Sequence, residues 1–200
     1  MIRALYSAAS GMTAQQMNVD NIAHNLANAN TSGFKARRAQ FQDLIYQSVV
    51  QPGSASGQQT TVPTGLQLGL GTRTSSNEIL FTQGSFSQTD NPLDMVIQGK
   101  GFFQVRRASG ELAYTRSGAF HLDKDGSLVT QDGNPLEPQI TLPSAALQIS
   151  IGQDGTVSYT LPGQSAAQQA GQIQLATFVN PAGLNSLGGT MAQRRGAAIC

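Results

Sequence analysis

Residues 2–30 constrain this chain more than any other stretch. Apolar or small side chains recur at Ile2, Leu5, Ala9, Met12, Val19, Ala23 and Leu26, in alternating steps of three and four, with Gln16 in the one slot that breaks the series. That spacing predicts a helix carrying the seam of a coiled coil, which needs another helix to bury it. The stripe is narrow and the opposite face is Gln and Asn, so the helix alone would be marginal in water. An ordinary amphipathic helix laid on a globular core fits the same pattern. Ser32-Gly33 stops the helix, with Gly33 suited to the left-handed cap position.

Three further regions follow by pattern. Residues 34–50 keep some helical spacing (Phe41, Leu44, Ile45, Val49) beside the basic residues Lys35, Arg37 and Arg38, which predicts a short helical continuation with a solvated basic face. Gln51 to Ser76, QPGSASGQQTTVPTGLQLGLGTRTSS, reads as an extended Pro/Gly/Gln linker or long loop. From Ile79 to about Leu187, short apolar runs alternate with turn signals such as Asp90-Asn91-Pro92, Lys124-Asp125-Gly126, Gln131-Asp132-Gly133 and Asp154-Gly155, the pattern of a mainly-β domain. Phe81, Phe86, Phe102, Phe103, Tyr114, Phe120 and Phe178 are its candidate core and packing aromatics. Gly188 to Cys200 shows neither heptad nor strand pattern. The fold class expected is α+β, divided as 1–33 axial helix, 34–78 helical continuation and linker, 79–188 mainly-β domain and 189–200 atypical tail.

A search for chemistry returns little. Charged residues make up 12% of the chain against a usual ~25%, and the net charge is +1, so nothing points to nucleic acid or an anionic membrane as partner. The single cysteine, Cys200, precludes an internal disulfide. No apolar run reaches the ~18–20 residues of a membrane span, and the N-terminus lacks the pattern of a cleaved signal peptide. His24 and His121 have no second ligand or triad partner at a useful spacing. Gly99-Lys100-Gly101 lacks the context of a phosphate loop and reads as a β-turn. An EF-hand begun at Asp123 would need Gly and Glu where Leu128 and Asn134 stand, so Asp123-Lys124-Asp125-Gly126 reads as a hairpin turn. Glu78, Asp94 and Glu111 are scattered acids. The sequence therefore offers no catalytic, metal or cofactor site and no small-molecule substrate, which leaves an enzyme reading without a site, and a non-enzyme is expected.

A resemblance carries the reading further. Ser7-Ala8-Ala9-Ser10-Gly11-Met12, followed by Asn21-Ile22-Ala23-His24-Asn25-Leu26-Ala27-Asn28-Ala29-Asn30-Thr31-Ser32-Gly33-Phe34-Lys35, resembles the N-terminal signature of flagellar rod, hook and hook-associated proteins. Gln83-Gly84, Thr89 to Asp94, Ile97-Gln98-Gly99-Lys100-Gly101-Phe102-Phe103 and Tyr114-Thr115-Arg116-Ser117-Gly118-Ala119-Phe120 are similar to the β domain of that family. The segment with Pro52, Gly53, Pro63, Gly65, Gly69 and Gly71 resembles the distal rod type.

The resemblance implies a structural subunit that polymerises helically into the torque-transmitting distal rod of the bacterial basal body. It implies contacts with copies of itself, with proximal rod and hook proteins, with bushing-ring proteins and with the flagellar type III export apparatus, reached without signal-peptide cleavage. Ile2, Leu5, Ala9, Met12, Val19, Ala23 and Leu26 would be the self-assembly face. Family members continue into a second heptad helix, whereas here Thr190 to Cys200 is basic and patternless, so a truncated or frame-shifted C-terminus without the partner helix is expected. The alternatives are a hook or proximal rod subunit, or a secreted β-rich module that binds cell wall.

Overall fold

The computed structural model describes residues 2–53, 63–164 and 166–194, which fall into two compact units. The first comprises Met1–Ala29 and Ala36–Leu80; the second comprises Asn30–Lys35 and Phe81–Cys200.

The first unit is one helix and a ribbon of strands. Helix α1 runs Ile2–Ala27, as the heptad spacing predicts. Strands β1 (Arg37–Asp43), β2 (Tyr46–Val50), β3 (Leu66–Gly69) and β4 (Thr72–Ile79) then pair antiparallel, β1 with β4 and β2 with β3. Leu44 N donates to Gly71 O at 2.9 Å where the two halves of the ribbon meet.

This arrangement corrects two expectations. Residues 34–50 are not a helical continuation; 37–43 and 46–50 are strands, because Phe41 and Leu44 find backbone partners far along the chain, Thr74 and Gly71, that local spacing cannot reveal. Nor is Gln51–Ser76 wholly a linker, since 66–69 and much of 72–79 complete the ribbon, while 54–62 lie outside the described residues. Leu66-Gln67-Leu68 alternates with a strand period, and Thr72 to Ser76 is rich in hydroxyl residues that suit a pleated surface.

What the first unit lacks is a core. Ala14 is its one buried side chain among the described residues. Ordering each residue costs ~1–2 kcal/mol of backbone entropy, which burial of a single methyl group cannot offset.

The second unit has the core. Strands β5 (Phe102–Arg106), β6 (Leu112–Thr115), β9 (Leu136–Glu137), β13 (Leu175–Ala176), β14 (Asn185–Gly188) and β15 (Met191–Gln193) make a six-stranded sheet in the order β13-β5-β6-β15-β14, with β9 also on β5. Strands β7 (Phe120–Leu122) and β8 (Leu128–Thr130) form a hairpin, and β10 (Gln148–Ile151), β11 (Thr156–Thr160) and β12 (Gln168–Gln172) a three-stranded sheet. Alternation along β5 sends Phe103 and Val105 inward to pack with Ala113, Phe120, Leu128, Leu136, Val157 and their neighbours. The Asp-Gly turns fall where the sequence puts them: Gly126 N donates to Asp123 O at 2.8 Å, and Gly133 N to Thr130 O at 2.9 Å.

Two details depart from the sequence reading. Phe86 is exposed rather than a packing aromatic. The segment from 189 is not patternless throughout, because Met191 and Ala192 pair with Thr115 and Tyr114 and join the main sheet; 195–200 lie outside the described residues.

Candidate assembly interface

Helix α1 presents two stripes, and they have opposite chemistry. At about 100° per residue, Ser7, Ser10, Ala14, Asn18, Asn21, Asn25 and Asn28 line one side. All are wholly or partly buried. The small residues at the start let the ribbon's backbone come close, and the asparagines then bond it. Ser10 Oγ accepts from Thr72 N at 3.2 Å, and Asn77 Nδ2 donates to Asn21 Oδ1 at 3.0 Å. Asn25 donates through Nδ2 to Arg37 O at 2.8 Å and accepts from Arg37 N at 2.9 Å. Arg3 also donates to Gln47. Gly71 lies against the helix at φ +118°, and a Cβ there would collide with Ser10 Oγ and sit 3.3 Å from Ser7 Cα.

The other stripe is the heptad seam, and it faces solvent. Ile2, Leu5, Met12, Val19 and Leu26 are 61–75% exposed, and Ala9 and Ala23 are exposed beside them. The amide face that reads from sequence as the solvated side is thus the intrachain docking face. The recurrence of small and Asn residues at steps of three and four was the available signal. Of the signature positions, Ser10, Asn21 and Asn25 bond the ribbon, Gly11 and Asn28 lie on the docked side, and Met12 lies on the open seam.

A second unsatisfied surface lies on the β2–β3 half of the ribbon, where Tyr46, Val49, Leu66 and Leu68 are half exposed and Ile45 more so. A two-stranded ribbon without a cover is marginal at best. The β1–β4 half instead carries polar cross-strand pairs: Arg38 with Glu78 at 3.1 Å, Ser76 with Gln40 at 3.2 Å and Arg73 with Gln42 at 3.2 Å. Of the linker residues marked from sequence, Pro52 and Gly53 turn the chain after β2, Gly65 packs against Pro52, Gly69 pairs with Tyr46, and Gly71 meets the helix. Pro63 stands at the edge of the described segment.

Within the second unit the three remaining family motifs converge. Gly33, at φ +74°, lies with its Cα against the backbone of Arg116 and Ser117; a Cβ would stand 2.6 Å from Ser117 N. Phe34 N donates to Thr31 O at 3.2 Å, which closes the turn through Thr31 that follows Asn30. Lys35 Nζ donates to Thr82 O at 2.8 Å. Arg116 donates through Nη1 and Nη2 to Gly99 O at 2.8 and 2.7 Å, and its guanidinium stacks 5.5 Å from the Phe102 ring centroid. Edge-to-face contacts run from Phe81 to Phe102, Phe178 and Tyr114 at 4.7–5.7 Å. Burial, and then the neighbouring Arg116, lower the Lys35 pKa; burial lowers that of Arg116. His24 and His121 are exposed, on α1 and β7.

Comparisons with known proteins place a chain with this helix, ribbon and β unit among axial components of the bacterial flagellum. Residues 5–35 match the flagella basal body rod protein family, and residues 96–159 match the flagellar hook protein FlgE/F/G D1 domain. The chain is 48% identical to the flagellar basal-body rod protein FlgG of Caulobacter vibrioides over 188 residues, covering 94% of this chain and 72% of that protein. Identity to FlgG of Buchnera aphidicola subsp. Schizaphis graminum is 46% over 198 residues, covering 99% and 76%. A match to the flagellar hook protein FlgE of Borreliella burgdorferi is 42% identical but covers 64% of this chain and 29% of that one. The chain belongs to the FlgG family of flagellar basal-body rod proteins. It is a structural subunit of the flagellar basal body.

Gly33→Ala should lower the stability of the β unit by about 1–3 kcal/mol, because the substitution combines positive φ with backbone overlap. Thermal unfolding of the two proteins followed by circular dichroism measures it; equal melting temperatures would refute the role given to Gly33.

Proposed function

We propose that the chain polymerises helically into the distal rod through the open seam of α1, and that this rod transmits motor torque to the hook. One observation carries the reading: α1 docks on its own ribbon by its polar stripe and leaves Ile2, Leu5, Met12, Val19 and Leu26 to solvent. Burying a large apolar side chain is worth ~1.5–3 kcal/mol, so neighbours that cover this seam and the β2–β3 ribbon supply the core that the first unit lacks. Torque needs repeated, geometrically fixed contacts and no catalytic group, and the chain is assigned no catalytic step.

The partners follow from that role: other copies of the chain, the proximal rod and hook proteins at either end, the bushing-ring proteins around it, and the type III export apparatus, with residues 1–30 as an uncleaved export signal. The stretch from Gln51 to Ser76 braces adjacent copies and stiffens the shaft. A hook subunit is the other reading with support, from the shared D1 domain and the hook-protein match. The rod matches extend over 94–99% of the chain and the hook match over 64%, which favours the rod.

Placing charges on the seam with Met12→Asp and Val19→Asp should abolish rod formation while the β unit melts as before. Electron microscopy of basal bodies together with thermal unfolding tests this; normal rods from the double variant would remove the seam from the assembly surface. Deleting Gly53–Thr64 from a full-length relative should leave the β unit folded and give bent or unstable rods. Straight rods of normal stiffness after that deletion would overturn the bracing role.

A further inference from the structure

The Lys35 ammonium and the Arg116 guanidinium share one patch of the β unit, and their surroundings are unusual for two cations. Lys35 spends one of its three N–H donors on Thr82 O. Arg116 directs two of its five at the single oxygen of Gly99, and its Nε is buried without a partner. The wall behind them is aromatic, with Phe102 under the guanidinium and Phe81 and Phe178 edge-on to it. Among the described residues, the ion pairs are Arg38 with Glu78 and Arg106 with Glu137, so neither Lys35 nor Arg116 has a carboxylate beside it.

Two like charges held together in a partly desolvated place repel, and both groups have their pKa values lowered as a result of burial and, for Lys35, of Arg116. The clamp on Gly99 explains the position of Arg116. It does not explain why a second cation stands next to it.

Exposed carboxylates are available on the same chain. Asp20, Asp90 and Asp125 are exposed and have no cation within ion-pair distance among the described residues. In a helical polymer of identical subunits, interfaces are heterologous: each patch meets a different patch of the next copy, and the meeting is repeated along the whole assembly. Acids and bases unpaired within one copy are then paired between copies.

We infer that Lys35, backed by Arg116, is the receiving site for a carboxylate from a second copy of the chain. The inference rests on the self-polymerising role proposed above and adds a polar lock to its apolar seam. The aromatic wall lowers the local dielectric, so the pair is worth more there than on an open surface. The Lys35 ammonium keeps two N–H donors beyond its bond to Thr82 O, while the guanidinium is fixed by Gly99 and Phe102 and raises the positive potential at the spot.

Zero-length carbodiimide coupling tests it, because an amide forms only where a carboxylate already touches the amine. Rods purified from the source cells, and the isolated chain at low concentration, are treated alike and mapped by mass spectrometry, with the exposed Lys100 and Lys124 as internal references. The expected result is a Lys35–Asp or Lys35–Glu cross-link in rods, lost by at least tenfold in the isolated chain. A Lys35 that stays uncoupled in rods while the reference lysines react would overturn the inference, as would the same cross-link at equal yield in both samples. Lys35→Gln should reduce rod yield several-fold and Lys35→Arg should restore it; equal yields from all three would count against the site. If the chain is missing from rods altogether, the self-assembly reading fails; if it is present and Lys35 is uncoupled, only the receiving site fails.

Discussion

Asn25 closes two hydrogen bonds on the backbone of Arg37, and with Ser10 and Asn21 it fastens α1 to the ribbon mainly by polar contacts. Hydrogen bonds of this kind contribute ~0.5–1.5 kcal/mol each, enough to choose which side of the helix faces the strands but too little to hold an extended unit folded. Their effect is orientation. By turning the amides inward they turn the heptad outward, so that the apolar surface of the unit is presented and not consumed. With Ala14 the one buried side chain there among the described residues, the helix and ribbon bury little apolar surface of their own.

The β unit follows the opposite rule. Val105, Ala113, Phe120, Leu128 and Leu136 are fully buried, the turns are set by Asp-Gly and Asn-Pro pairs, and the core is formed within one copy. The chain thus joins a unit that has its own core to one that has almost none.

Much of this was legible in the residues. The three-four spacing from Ile2 to Leu26 gives the helix and its seam, and the regular turn signals after Ile79 give the β unit. The ribbon was not legible, because Arg37 pairs with Ile79 and Tyr46 with Gly69, and contacts between segments so far apart leave no local period. Phe41, Leu44, Ile45 and Val49 happen to fall at helical intervals as well. The docking face was not read from the sequence, and for a different reason. Asn and Gln are assigned to solvent by habit, yet here Asn18, Asn21, Asn25 and Asn28 repeat with the same spacing as the apolar seam, and the regularity was the clue. The hairpin at 185–193 escaped because its second strand is held by pairing with Tyr114 and Thr115, and its first by the second, rather than by any pattern of their own.

Amide hydrogen exchange compared between the isolated chain and intact rods addresses the dependence of the first unit on its neighbours most directly. Residues 5–26, 37–50 and 66–79 should exchange fast in the isolated chain and slow by orders of magnitude in rods, while β5 and β6 are protected in both. Strong protection of residues 5–26 in the dilute isolated chain, equal to that in rods, would contradict the account.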